Sequence, residues 1–148
     1  MSTLSLSGFA DKMNEVMPVL IQEFARRQAN ELYKGKITLP QFLILDFLNK
    51  KGECKMTEIA HFMHVTTAAM TGIVERIIKC DYVQRVYDPK DRRVVKIRLT
   101  AKGCELVKKV NRQRRNMIVD IFGKISQRER EQYLNILMRI LSILTEEK

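Results

Sequence analysis

The fold is decided by the stretch Tyr82-Val83-Gln84-Arg85-Val86-Tyr87-Asp88-Pro89-Lys90-Asp91-Arg92-Arg93-Val94-Val95-Lys96-Ile97-Arg98-Leu99-Thr100. Its second half alternates strictly, with Val95, Ile97 and Leu99 on one side, as a half-buried strand requires. Asp88 and Pro89 favour a turn, because proline fixes φ at the second turn position. The stretch therefore predicts a β-hairpin whose tip carries consecutive charges from Lys90 to Arg93.

Composition narrows the class of protein. The chain has 148 residues, a net charge of +10 and a hydrophobic share of 45%, which is typical of one folded domain. The positive charge favours an anionic partner, and nucleic acid rather than a membrane, because no basic amphipathic helix with an aromatic face stands out. No apolar run approaches the roughly 20 residues that span a bilayer, and the first residues do not read as a secretion signal. We therefore expect a cytoplasmic protein.

Before the hairpin, apolar residues recur with the spacing of helices. Apolar residues at steps of three and four predict a first helix over residues 8–34, ended by Gly35. The capping box formed by Thr38 and Gln41 predicts the start of a second helix, and Gly52 predicts its end.

Two short helices with a tight turn between them come next. Thr57 is expected to cap the first and Thr66 the second, which runs to about residue 80. The second helix has an apolar face made of Met70, Ile73, Val74 and Ile77, and an opposite face of small or hydroxylated residues made of Thr67, Ala68, Thr71 and Gly72. Such a face can approach base edges closely in a major groove, but an ordinary amphipathic helix can show the same pattern. The basic hairpin that follows favours a helix-turn-helix.

Two long helices close the chain. Thr100 is expected to cap the first, which runs to about Phe122, and Gly103 in its first turn suggests a close backbone approach. A capping box formed by Ser126 and Glu129 opens the last helix. That helix is too apolar to be left in water, and together with the first helix it predicts an intertwined homodimer.

This layout resembles the MarR family of winged-helix transcription regulators. Three motifs carry the resemblance: Asp88-Pro89-Lys90-Asp91-Arg92-Arg93 followed after five residues by Leu99-Thr100-Ala101-Lys102-Gly103, the helix entry Thr38-Leu39-Pro40-Gln41, and the recognition helix Thr66 to Arg76. The resemblance implies a mainly α fold with a small β-wing. It places a winged helix-turn-helix at residues 37–100, between dimerisation helices at residues 1–36 and 101–148.

The resemblance also implies the DNA-binding residues. Thr67, Ala68, Thr71 and Gly72 would lie near base edges, and Thr66 and Arg76 near phosphates. At the wing tip, the Asp91 carboxylate would brace Arg93, and Arg92 or Arg93 would enter the minor groove, with Lys90 beside them. The chain departs from the family at Gly72, where arginine is frequent, and at Asp81, which replaces a glycine but tolerates the left-handed conformation.

The expected function is that of a homodimeric, sequence-specific transcription regulator, a repressor, which binds a pseudo-palindromic operator in double-stranded DNA. Relatives often bind phenolic or anionic molecules, so a small effector of that kind is a further expectation. Its candidate lining consists of Met13, Met17, Phe24, Phe42, Leu45 and Met117, although core packing explains these residues better. The alternative is a winged-helix module that binds a protein, which would require large apolar anchors on the recognition helix.

We cannot assemble a set of catalytic residues from this sequence. His61 and His64 are spaced like a metal pair, yet no carboxylate or cysteine nearby completes a site. The three cysteines lack zinc-type spacing and favour packing roles, although Cys80 beside Lys79 could have a somewhat acidified thiol. We expect no catalytic residue, no metal and no cofactor.

Overall fold

The computed structural model describes residues 3–27 and 37–146. Within these residues, six helices and three strands follow one another: α1 (Leu6–Arg27), α2 (Leu39–Lys51), β1 (Cys54–Lys55), α3 (Met56–Phe62), α4 (Thr67–Lys79), β2 (Val83–Tyr87), β3 (Val95–Leu99), α5 (Ala101–Phe122) and α6 (Gln127–Glu146). The chain divides into two compact units, Met1–Gln113 and Arg114–Lys148, and α5 contributes to both. The predicted mainly α fold with a small β-wing is confirmed.

The helix ends follow the capping signals. The Thr38 N–H donates to Gln41 Oε1 at 2.9 Å, and Gly52 ends α2 with a φ of 86°. At the start of α6, the Ser126 N–H donates to Glu129 Oε2 at 2.8 Å. These starts were predicted correctly, whereas the predicted end of the first helix at Gly35 lies outside the described residues.

The start of α3 was predicted wrongly. Thr57 lies inside the helix, which begins at Met56, and the Lys55 N–H donates to Glu58 Oε2 at 2.8 Å. The cause is β1, because Cys54 and Lys55 pair with β3 and keep the backbone extended up to the helix. This two-residue strand, which was not predicted, makes β3 the centre of an antiparallel sheet with the order β1-β3-β2.

The core of the first unit joins the sheet to four helices. Its strands contribute Cys54, Val83 and Ile97, all almost completely buried. Its helices contribute apolar side chains from α2 to α5, among them Phe42, Ile44, Leu45, Leu48, Ile59, Met70, Val74, Ile77, Val107 and Val110. Burial of one such large side chain stabilises the fold by about 1.5–3 kcal/mol. The helix-turn-helix and the hairpin are therefore parts of one core.

The base of the hairpin is fixed to α5 by a close backbone approach. The Thr100 hydroxyl donates to the Asp81 carbonyl at 2.6 Å and accepts the Gly103 N–H at 3.0 Å. A Cβ at Gly103 would lie 2.1 Å from the Tyr82 carbonyl oxygen. Asp81 adopts the left-handed conformation, with a φ of 61°. The predicted close approach at Gly103 and the predicted tolerance of Asp81 are both confirmed.

The first and last helices differ from the rest because neither α1 nor α6 contains a buried residue. The α6 helix is anchored to the end of α5 by local contacts. Arg130 Nη1 donates to the Phe122 carbonyl at 3.0 Å, and the rings of Phe122 and Tyr133 lie 5.4 Å apart. Both helices expose long apolar faces.

Candidate nucleic-acid interface

The turn between α3 and α4 sets the start of the recognition helix α4. The Val65 N–H donates to the Ala60 carbonyl at 3.1 Å, and His64 has a φ of 54°, which turns the chain sharply. The Thr66 hydroxyl then accepts the Ala69 N–H at 3.1 Å and caps the helix. This arrangement, with the predicted cap in place, is a helix-turn-helix.

The two faces of α4 match the prediction. Met70, Val74 and Ile77 are buried in the core, and Ile73 is half-buried at its edge. The predicted DNA-contacting residues of the helix are all exposed: Thr66, Thr67, Ala68, Thr71, Gly72 and Arg76. The first turns of α4 therefore present an uncharged surface of small side chains, followed by the basic residue Arg76.

The exposed face of α4 permits close approach. The Thr71 hydroxyl donates to the Thr67 carbonyl at 2.8 Å, so its proton is already used inside the helix. A Cβ at Gly72 would meet no atom within 4 Å. A base edge can therefore come near the helix backbone here, and it meets methyl groups and hydroxyl lone pairs instead of charges.

The wing, residues Val83 to Leu99, has a tip shaped by two aspartates. Asp88 Oδ1 accepts the backbone N–H groups of Lys90 at 2.8 Å and Asp91 at 3.3 Å. These two hydrogen bonds hold the pKa of the Asp88 carboxyl below its usual range. The turn is closed by the Val94 N–H, which donates to the Asp91 carbonyl at 3.0 Å.

Asp91 holds Arg93 in the manner predicted. Its carboxylate accepts hydrogen bonds from Arg93 Nε at 3.1 Å and Nη2 at 3.3 Å, and from the Arg93 backbone N–H at 3.0 Å. The paired guanidinium, followed by the backbone N–H, lowers the pKa of the Asp91 carboxyl. The Arg93 side chain is 92% exposed, and Lys90 and Arg92 beside it are exposed as well. The wing tip thus displays three cations, one of them held in a fixed orientation.

One contact between the wing and the recognition helix was missed. Arg85 of β2 forms an ion pair with Glu75 of α4. The only signal in the sequence was a charge at a strand position that shares its side with Val83, and such a charge does not reveal its partner.

The residues predicted to line an effector site differ widely in burial. Phe42 and Leu45 are completely buried in the core, as the core interpretation expects. Met13 and Met17 are exposed on α1, Phe24 is half-buried, and Met117 lies on the part of α5 in the second unit. An effector site made of these residues stays a prediction.

The three cysteines differ in burial. Cys54 is buried, and desolvation raises the pKa of its thiol, whereas Cys80 is exposed and Cys104 half-buried. Among residues 3–27 and 37–146, no group of three or more metal-binding side chains comes together. No helix in this part of the chain is long and apolar enough to cross a membrane.

Comparison with known proteins agrees with this geometry. The model of the MarR family matches residues 37–95. The HTH-type transcriptional regulator YsmB of Bacillus subtilis (strain 168) is 32% identical over 104 residues, which are 70% of this chain and 71% of that protein. The HTH-type transcriptional repressor MdtR of the same organism is 26% identical, over 84% of this chain and 80% of its own.

Solved structures share the fold. Streptococcus pneumoniae FabT, crystallised in complex with DNA, superposes with a TM-score of 0.79 at 20% identity and covers 97% of this chain and 100% of its own. The chain belongs to the MarR family. It is a winged-helix transcription regulator of the helix-turn-helix type.

Proposed function

We propose that the protein is a homodimer that binds a pseudo-palindromic operator in double-stranded DNA and represses transcription there. The recognition helix α4 would enter the major groove and the wing the adjacent minor groove. Lysine and arginine contacts to phosphates would supply most of the affinity, and the small residues of α4 together with the wing tip would supply specificity.

The observation that carries the proposal is the Asp91–Arg93 pair at the wing tip. A guanidinium that is 92% exposed and yet held by two side-chain hydrogen bonds contributes little to folding. Its fixed orientation favours binding of a partner. An arginine that is already held in place loses less conformational freedom when it enters a narrow groove. Lys90 and Arg92 beside it supply charge for the flanking phosphates.

The face of α4 supports DNA in preference to a protein as the partner. An interface that binds a protein is anchored by large apolar or aromatic side chains. The exposed residues at the start of α4 are Thr67, Ala68, Ala69, Thr71 and Gly72, and none of them can fill a pocket on another protein. The alternative function as a protein-binding module therefore has little support.

The terminal helices support the homodimer. Exposed apolar side chains cover one side of α1, including Phe9, Met13, Val16, Met17 and Leu20. The same holds for α6, which exposes Leu134, Leu137, Met138, Ile140, Leu141 and Leu144. Apolar surface of this extent is covered by protein in folded molecules, and a second copy offers the matching surface. Two copies would place two recognition helices about 34 Å apart, one turn of DNA.

The proposal includes two further features, repression of transcription and release from DNA by a small effector. MdtR, a relative over most of the chain, is named a repressor. A small phenolic or anionic effector would act by binding preferentially to a dimer whose recognition helices do not fit the operator spacing. Titration calorimetry with salicylate, followed by DNA binding at saturating salicylate, tests this part. No heat and an unchanged affinity would contradict it for this ligand.

Selection of bound sequences from a random duplex pool tests the DNA-binding proposal. We expect inverted repeats whose half-site centres lie about 10 base pairs apart. The affinity for the selected duplex should fall steeply with salt, with a log–log slope of about −0.9 for each phosphate contact. Absence of binding to any duplex at low salt would refute the proposal.

A further inference from the structure

The wing is packed into the core at its base. Val83 and Ile97 are buried, and the Thr100 N–H donates to the Tyr82 carbonyl at 3.0 Å. Toward the tip the strands leave the core, and Tyr87 at the end of β2 is 57% exposed. Apolar packing therefore fixes the lower half of the hairpin and leaves the direction of its upper half to other contacts.

Arg85 is the next residue of β2 after Val83 on the same side of the strand. In the sheet it stands opposite Ile97, and opposite residues of neighbouring strands share a face, so Arg85 is on the side of the sheet that faces the core. At this position β2 has a guanidinium instead of an apolar side chain, and the guanidinium pairs with the Glu75 carboxylate of α4. This ion pair continues the contact between β2 and α4 beyond the buried side chain of Val83.

Glu75 belongs to the row of α4 residues that faces the proposed major groove. It follows Thr71 by four residues and Thr67 by eight, and residues four apart form one row on a helix surface. An unpaired carboxylate in that row would repel DNA phosphates. Pairing with Arg85 neutralises the carboxylate and uses it to hold the wing.

Folding stability does not explain the pair. The side chains of Arg85 and Glu75 are 38% and 40% exposed. Ion pairs with this exposure contribute little to stability, because water screens the charges and two long side chains are immobilised. The pair matters more for the angle between the wing and α4 than for the fold.

We propose that Glu75 is a positioning residue for DNA binding, which acts through Arg85. By holding Arg85 it sets the wing at the angle at which Arg93 reaches the minor groove while α4 occupies the major groove. This inference rests on the proposed DNA-binding function. It assigns to Glu75 a role that does not require contact with DNA.

The test compares Glu75→Gln with the matched control Glu105→Gln on the selected duplex. Both variants remove one negative charge, and Glu105 lies on α5 with a 78% exposed side chain. We expect Glu75→Gln to weaken binding about tenfold, the size of one lost groove contact, and Glu105→Gln to leave it unchanged. Thermal unfolding should show nearly the same midpoint for both variants and the parent protein, which separates positioning from folding.

A double-mutant cycle with Arg93→Ala identifies the route of the effect. If Glu75 acts through the wing, Arg93→Ala should cost clearly less affinity in the Glu75→Gln background than in the parent protein. Additive losses would overturn the inference, as would unchanged or tighter binding by Glu75→Gln, since tighter binding would mean that Glu75 masks Arg85 from DNA. If the parent protein binds no duplex, the DNA-binding proposal itself fails, and this outcome is distinct from the others.

Discussion

The recognition unit, residues 39–110, contains a cluster of buried apolar residues, whereas the last helix, α6, contains no buried residue. In the part of the chain from α2 to Val110, Leu45 and Val74 are completely buried, and one core holds the sheet and the recognition helix together. In α6, Leu134 is 58% and Leu144 65% exposed. The first region has its own core within one chain, whereas α6 has no buried residue. We propose that the first region reads DNA and that the second sets the distance between two such regions.

The largest effect is expected from a charge on the apolar face of α6. Leu137→Glu should prevent dimerisation, because a carboxylate cannot be buried unpaired in an apolar interface. A monomer engages only one half-site, so affinity for the full operator should fall by roughly 10²–10⁴. Sedimentation velocity and fluorescence anisotropy on the selected duplex measure the two consequences.

The matched control for this prediction is Asn135→Glu. Asn135 belongs to the polar row of α6, together with Gln132, Arg139 and Ser142. The variant should remain dimeric and bind DNA almost as the parent protein does. Equal behaviour of the two variants would remove the contrast between the faces of α6.

The next effect concerns the stability of the recognition unit. Gly103→Ala should destabilise it by about 2–3 kcal/mol, because the new methyl group would overlap the Tyr82 carbonyl oxygen and force the wing base away from α5. Denaturant unfolding followed by circular dichroism measures the loss. Gly72→Ala, where the new Cβ meets no atom within 4 Å, is the control and should stabilise by about 0.5–1 kcal/mol.

A smaller effect separates the wing tip from its base. Arg93→Ala should weaken operator binding about tenfold, because a groove contact and the Asp91 pair are lost together. Lys102→Ala should change the affinity much less, because Lys102 Nζ donates to the Cys80 carbonyl at 2.8 Å and so makes a contact within the protein. Shift assays at one salt concentration compare the two variants. Equal losses would contradict the ranking.

The smallest expected effect is a pH dependence. Because the pKa of Asp91 is lowered, its carboxylate holds Arg93 at and above the usual titration range of aspartate and releases it only as the pH falls through the lowered value. The ratio of affinities between the parent protein and Asp91→Asn should therefore be constant from about pH 8 to about pH 5. A ratio that changes within this interval would show that another group controls the wing tip.

Many features of the fold and of the wing tip were predictable from residues close together in the sequence. Caps at Thr38, Thr66 and Ser126 and the wing turn depend on residues near one another in sequence, and the structure confirms them. The Asp91–Arg93 pair belongs to the same group. The close approach at Gly103 is to the distant Tyr82 carbonyl, and only the glycine in the first turn of α5 signalled it.

Contacts between distant segments were not predictable. The strand β1 exists only because Cys54 finds Ile97 in β3, and this pairing also moved the start of α3. The pair of Glu75 with Arg85 likewise depends on the tertiary arrangement of α4 and β2. Neither leaves a pattern in the sequence, because a two-residue strand has no period and a single charge does not specify its partner.

The most direct test of the account is the mass of the protein alone and on its selected duplex, measured by sedimentation equilibrium. We expect twice the 17.3 kDa chain mass in free solution, and two chains on each duplex that contains both half-sites. A free monomer that binds as one chain per duplex would contradict the account, since the exposed faces of α1 and α6 would then have no role in placing the wings.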